Sequence, residues 1–194
     1  MPIDRPASVT VATLALVVSL QPAVAREARC VAMDVPVVRV DAAPSPYSDF
    51  CDTNADACDL TGNPIVEWSP RLHALLARIN NEVNSEVTFI PDWENSGLEE
   101  IWSFPFDCTG DCEDYALEKR QRLVEAGLPS ASLTIAIAFH EVQLFPHAVL
   151  LAETTSGTFV LDNLYDEILC WDAVPYFFTR RERPDGQWTR FQWP

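Results

Sequence analysis

The stretch Asp111-Cys112-Glu113-Asp114-Tyr115-Ala116 decides the fold. Gly110 precedes it, and a helical pattern follows it until Gly127-Leu128-Pro129. Asp111 suits an N-cap, Asp114 holds the capping-box position, and Gly127 with Pro129 beyond it ends the helix. Cys112 therefore falls in the first helical turn. There the free backbone N–H groups and the helix dipole favour a thiolate, which is what a nucleophilic cysteine needs. The plain alternative is a small buried residue at a helix start.

Working outward, the charged run Glu118 to Arg122 reads as a mostly solvated helix face, with Ala116, Leu117, Leu123 and Val124 inward. Beyond Pro129 the period changes to that of strands. Leu133–Phe139, His147–Glu153 and Thr158–Asp162 are expected strands, with Thr155-Ser156-Gly157 the turn between the last two. Ile168–Trp171, Tyr176–Arg180 and Trp188–Trp193 are further candidates, with Asp185-Gly186 a hairpin signal. Upstream, Ser69-Pro70 opens a helix whose Leu72, Leu75, Leu76, Ile79 and Val83 form one apolar stripe. His73 lies off that stripe, as a surface histidine would. Phe89, Trp93, Trp102, Phe104 and Phe106 would line a cleft or cover the core. Helices first and antiparallel strands later make an α+β fold.

A hairpin turning at Thr155-Ser156 sets His147 opposite Leu164, with Asp162 as diagonal neighbour on the same sheet face. A carboxylate beside a histidine fixes its tautomer and favours the imidazolium. Cys112, His147 and Asp162 would then form a nucleophile, a base and the group that orients the base. Taken singly, His147 reads as a strand-end histidine and Asp162-Asn163 as a turn.

The chain has 194 residues, 48% of them hydrophobic, enough for one domain with a core. Its 29 acidic and 13 basic residues give a formal charge of −16, which repels nucleic acid and anionic lipid and attracts divalent cations. Residues 1–25 read as a secretory signal: Arg5, the apolar run Val9–Leu20, and the cleavage site Ala23-Val24-Ala25. Removing them takes away Asp4 and Arg5 together and leaves the charge unchanged. No later segment could span a bilayer. Residues 26–49 read as an irregular leader, in which Val35–Val40 could add an edge strand, and 50–194 as the main folded domain. Export implies an oxidising compartment. Of the six cysteines, Cys51 and Cys58 could bridge. If Cys112 is free, one of the others stays unpaired, and the expectation is Cys108 with Cys170 and Cys30 free.

Gly110-Asp111-Cys112-Glu113-Asp114-Tyr115-Ala116, Gly127-Leu128-Pro129, His147-Ala148-Val149-Leu150 and Val160-Leu161-Asp162-Asn163 together resemble the bacterial transglutaminase-like cysteine proteinase family. The resemblance runs from about Phe50 to Trp188. It implies a papain-like, transglutaminase-like fold in which the nucleophile helix packs on an antiparallel sheet carrying His147 and Asp162. The best-known branch cleaves large surface adhesins and is sequestered by an inner-membrane cyclic-di-GMP receptor. By resemblance, then, the substrate is a protein, an adhesin in that branch, and the receptor is a partner. Pro146 departs from the glycine that the family usually places before the histidine.

Asp111, Glu113 and Asp114 suit the helix dipole but disfavour a neighbouring thiolate. A divalent cation held by their oxygens would relieve the conflict. The acidic set and the exported location suit Ca2+, as in the calcium-dependent relatives. Simple capping is the alternative. For the oxyanion, the expected donors are the Cys112 backbone N–H and, as a second candidate, the Trp102 indole N–H. The same thioester could pass to an amine, giving a transglutaminase-type acyl transferase. A calcium-binding interaction module without turnover is the non-enzymatic reading.

Overall fold

The computed structural model describes residues 30–105 and 107–193. The expected signal over residues 1–25, the first four leader residues and Phe106 lie outside the described residues. A single seven-stranded antiparallel sheet organises the rest, in the order β1-β9-β8-β4-β5-β6-β7. Its strands are β1 (Val37–Asp41), β4 (Leu133–His140), β5 (Pro146–Thr154), β6 (Gly157–Leu161), β7 (Leu169–Cys170), β8 (Tyr176–Glu182) and β9 (Trp188–Phe191). The short strands β2 (Thr88–Phe89) and β3 (Thr109–Gly110) pair in parallel as a separate ribbon. The helices are α1 (Ser45–Thr53), α2 (Ala55–Cys58), α3 (Pro70–Glu86), α4 (Asp92–Asn95) and α5 (Cys112–Glu125).

Two-residue alternation along β5 feeds two cores. Leu150 and Ala152 face α3 and α5, packing with Leu76, Ile79, Val83, Leu117 and Leu123. Val149 and Leu151 face the other way, with Val160, Phe178 and Phe191. Helix α3 starts where the sequence places it: Ser69 caps it by accepting a hydrogen bond from the Leu72 N–H at 3.1 Å, with Pro70 at the first helical position. The segment from Cys30 to Pro36 crosses the second face from one sheet margin to the other. Val31 accepts from the Thr158 N–H beside β7, Met33 and Val35 pack on the second core, and Pro36 accepts from the Gln192 N–H just after β9. Strand β1 then pairs with β9 as the sheet edge, as Val35–Val40 suggested.

Four expectations change. Lys119 and Arg120 are buried, not solvated, because α5 lies between the sheet and α3 and offers little free surface. Helix α1 appears where turns and an irregular leader were expected, and its Tyr47 and Phe50 join the main core. The expected bridge between Cys108 and Cys170 does not form. Cys170 pairs with Cys30 at a Cα–Cα distance of 5.4 Å, since the β6–β7 register carries Cys170 to the margin where Cys30 enters. Cys108 is free and exposed on the loop before β3, while Cys51 and Cys58 bridge as expected. Asp111 is the N-cap residue of α5, but its side chain makes no capping hydrogen bond.

Candidate active site

The site forms where the N-terminus of α5 meets the end of the β5–β6 pair. That pair runs from Thr154 opposite Gly157 to Leu150 opposite Leu161 and stops there. Continued by three residues, the register puts His147 opposite Leu164, as expected from the turn. With β6 ended, the β5 backbone is open on that side, and the N–H of Ala148, next to His147, hydrogen-bonds the Cys112 sulfur.

His147 Nε2 lies 2.8 Å from Asp162 Oδ1, and both side chains are 2% exposed. Asp162 Oδ1 also accepts from the Leu164 N–H at 3.0 Å, and Oδ2 accepts from the Tyr176 hydroxyl. Burial alone would raise the Asp162 carboxyl. The bond to His147, its charge and the two further donors outweigh burial and hold it below the usual carboxylate range. With Nε2 engaged, Nδ1 is the ring nitrogen left for a thiol proton.

Cys112 is unbridged and half-buried, and its sulfur lies 3.2 Å from Glu113 Oε2. Burial, then the Glu113 and Asp111 carboxylates, push its thiol well above the ordinary value. Burial and the acidic neighbours thus act on the thiol in the same direction. The acids form two groups that share Asp111. One oxygen each from Asp92, Asp111 and Asp114 lie within 4.8 Å of one another, as do ligand atoms of Asp111, Cys112 and Glu113. Asp111 Oδ1 and Glu113 Oε1 are buried without a hydrogen-bond partner. Burial and the neighbouring acids raise Glu113, and burial lifts Asp114 to about 7 against the Ser103 N–H that it accepts. Gathered carboxylate oxygens, two of them buried without a partner, form a donor set that fits a hard divalent cation. Gly110 is required beside them, because a Cβ there would stand 2.7 Å from Asp114 Oδ2.

Three residues of this site escaped the sequence reading. Asp92 stands on α4 and accepts from the Ile101 N–H, and Glu100 lies in the field of Asp92 and Asp111. Tyr176 is the third. The acids of residues 92–100 were a visible signal, hidden by reading that stretch for its aromatics. Of the two places considered for Trp102, oxyanion donor or core, the structure shows the core. Its ring is 5% exposed, edge-on to Tyr47 at 5.1 Å, and its indole N–H donates to Glu100 at 3.1 Å. That donor is occupied, and Trp102 is core.

A helix-borne cysteine against a sheet-borne, carboxylate-bound histidine defines the cysteine peptidases of papain-like design. The sequence profile of the bacterial transglutaminase-like cysteine proteinases (BTLCP) matches residues 37–193, and the chain belongs to that family. It is a cysteine peptidase. The fold is similar to that of LapG from Legionella pneumophila in its calcium-bound form, with a TM-score of 0.55 and 23% identity over 76% of this chain and 81% of that one. A second LapG structure gives 0.54 and 25% over 76% and 81%. EGTA-treated LapG gives 0.54 and 24% over 77% and 80%. No curated protein sequence matches the chain. Among the described residues, no helix is long and apolar enough to cross a membrane.

Proposed function

We propose that the chain is a calcium-dependent endopeptidase that cuts an exported or surface protein, with Cys112 as nucleophile, His147 as base and Asp162 holding His147. The observation that carries this reading is the buried His147–Asp162 bond of 2.8 Å, with the sulfur hydrogen-bonded to the next residue along β5. His147 Nδ1 takes the thiol proton as Cys112 Sγ bonds the substrate carbonyl carbon. The proton passes to the leaving amine nitrogen as the C–N bond breaks. Water then adds to the thioester carbon, His147 takes its proton, and the C–S bond breaks to release the acid and restore the thiol. The oxyanion faces the Cys112 backbone N–H, which has no intrahelical acceptor at the first helical position.

Asp92, Asp111, Asp114 and Glu113 would hold the calcium ion. Bound there, it supplies positive charge that lets the thiolate form among carboxylates. LapG, which has calcium-bound and EGTA-treated forms, supports the ion, and the family resemblance supports an adhesin substrate, a periplasmic location after signal cleavage and a cyclic-di-GMP receptor as partner.

The test is digestion of the host's surface and secreted proteins by wild type and by Cys112→Ala, with and without chelator. A fragment made only by wild type, and lost with chelator, is expected. Identical patterns from wild type and Cys112→Ala would overturn the peptidase assignment. A fragment indifferent to chelator would overturn the calcium reading alone.

A further inference from the structure

The helical cover of the sheet stops short of the level of Cys112. Along β4, Leu133 and Ile135 are fully buried, while Ile137, next on the same face, is partly exposed. On β8 the buried Glu182 gives way to a partly exposed Arg180, and on β9 the buried Trp188 gives way to a partly exposed Arg190. The course of α5 is the cause. Its Cys112 sulfur stands beside Ala148 of β5, and its Arg120 pairs with Glu182 of β8. The helix therefore crosses the sheet on a diagonal and leaves a strip of the same face outside its path.

The register shows what lines that strip. Ala148 pairs with Ile137, Ile137 with Arg180, Arg180 with Arg190, and Arg190 with Arg39. Residues directly opposite share a face, so one row runs from the residue beside the sulfur to the sheet edge. At about 4.8 Å per strand, Arg180 is about 10 Å from Ala148. Asp41 accepts from Arg39 Nε and from Arg190 Nε, each at 2.6 Å. The Arg180 guanidinium makes no hydrogen bond or ion pair among the described residues. Burial and the Arg190 charge pull it below the ordinary arginine value, against the pull of Asp41. Three guanidiniums against one carboxylate leave a positive strip on a chain whose formal charge is −16. Like charges directly opposite on a sheet cost stability. An incoming carboxylate relieves that cost, and the fork of Arg180 is free to hold one.

We propose that this strip is a substrate subsite: the extended substrate chain crosses Ile137, and a carboxylate side chain about three residues from the bond that is cut pairs with Arg180. The inference rests on the reading of Cys112 as nucleophile and adds a substrate class to it, a protein segment with an acidic residue on one side of the cleavage site. The opposite charges of the two neighbouring regions make the preference one-sided. The carboxylates at the start of α5 repel an acidic residue, and the strip draws it.

The experiment uses the calcium-supplemented protein in a Cys108→Ser background, so that Cys112 is the remaining free thiol. Two series of affinity labels are used, peptidyl chloromethyl ketones and chloroacetyl peptides, which extend from the reactive carbon in opposite chain directions. Each series carries Asp or Asn about three residues from that carbon. Labelling is followed by intact mass, and both members of a pair meet the same thiol at the same pH, so its ionisation cancels in the ratio of their rates. In one series the ratio of Asp to Asn label is expected to fall about threefold or more on Arg180→Gln. Ratios unmoved by Arg180→Gln in both series overturn the subsite. The second measurement needs no substitution and decides alone if Arg180→Gln does not fold. In the same series the wild-type ratio is expected to fall between about 0.01 M and about 1 M salt. A ratio that stays flat or rises in both series overturns the subsite. Asn labels that react no faster with wild type than with His147→Ala would instead overturn the reacting set itself, and this inference with it.

Discussion

Arg120 and Glu182 form an ion pair at 2.5 Å with side chains 3% and 2% exposed, and so lock α5 onto β8. Tyr47 from α1 donates to the same carboxylate, and the Ile135 N–H of β4 donates to it at 3.1 Å. Three layers of the fold meet on one side chain. Removing the guanidinium leaves Glu182 charged and enclosed. Arg120→Met is expected to cost about 3–5 kcal/mol, measured by denaturant unfolding with disulfides intact. Pairing it with Glu182→Leu should recover much of that loss, and failure to recover would mean the pair is not the source.

Tyr176 holds the oxygen of Asp162 that His147 does not. Tyr176→Phe should keep the fold and lower Cys112 alkylation about tenfold, as expected for losing a hydrogen bond to a charged group. The pH consequence has a definite sign. Asp162 is held below its usual value, so its stabilisation is present above the unfolded carboxylate pKa and is lost as pH falls through the folded one. Without Tyr176 the folded value rises, and acid unfolding should begin at higher pH. An unchanged acid edge would count against that coupling.

Asp114 behaves in the opposite sense. Burial raises it from 3.8 to about 7, so without metal the protein is most stable with this carboxyl protonated and loses that stability as pH rises through about 7. In chelator, Tm should fall between about pH 4 and about pH 7. Calcium should flatten the fall and add about 3 kcal/mol at a hundredfold excess over Kd. Asp114→Asn should remove both the slope and most of the calcium response. A calcium response that survives Asp111→Asn and Asp114→Asn together would place the ion elsewhere.

Unreduced protein should show two free thiols, Cys108 and Cys112. Cys108, being exposed, should react with a thiol reagent much faster than Cys112, whose thiol is raised and half-buried. Cys30→Ser with Cys170→Ser opens a link across 140 residues and should cost about 2–5 kcal/mol. Mass mapping that finds Cys108 joined to Cys170 would contradict the pairing.

Much of this was legible because it depends on local rules. The Ser69-Pro70 start, the Gly127 stop and the tight turn at Thr155-Ser156 each fix their neighbours within a few residues. The turn also fixed the register, and with it the meeting of His147 and Asp162. What stayed hidden depended on distant packing. Lys119 and Arg120 look like a solvated face until β8 and α3 are laid against α5. Cys30 finds Cys170 only after the whole sheet is assembled. Asp92 joins Asp111 only through the β2–β3 ribbon, where the Thr88 N–H donates to the Cys108 carbonyl at 2.8 Å. Trp102 had two readings, a donor to the oxyanion or a core aromatic, and only its distant neighbours Tyr47 and Trp188 decide for the core.

The crossing of residues 30–36 over the second face closes both margins of the sheet with one length of chain. Its first described residue is fastened covalently beside β7, and its continuation becomes β1 at the far edge. A single reduction would therefore free a hem that covers apolar side chains and shields two rows of backbone donors and acceptors. Such unsealed edges invite pairing between molecules. Loss of the Cys30–Cys170 link should accordingly appear first as turbidity on standing, before any loss of helix signal.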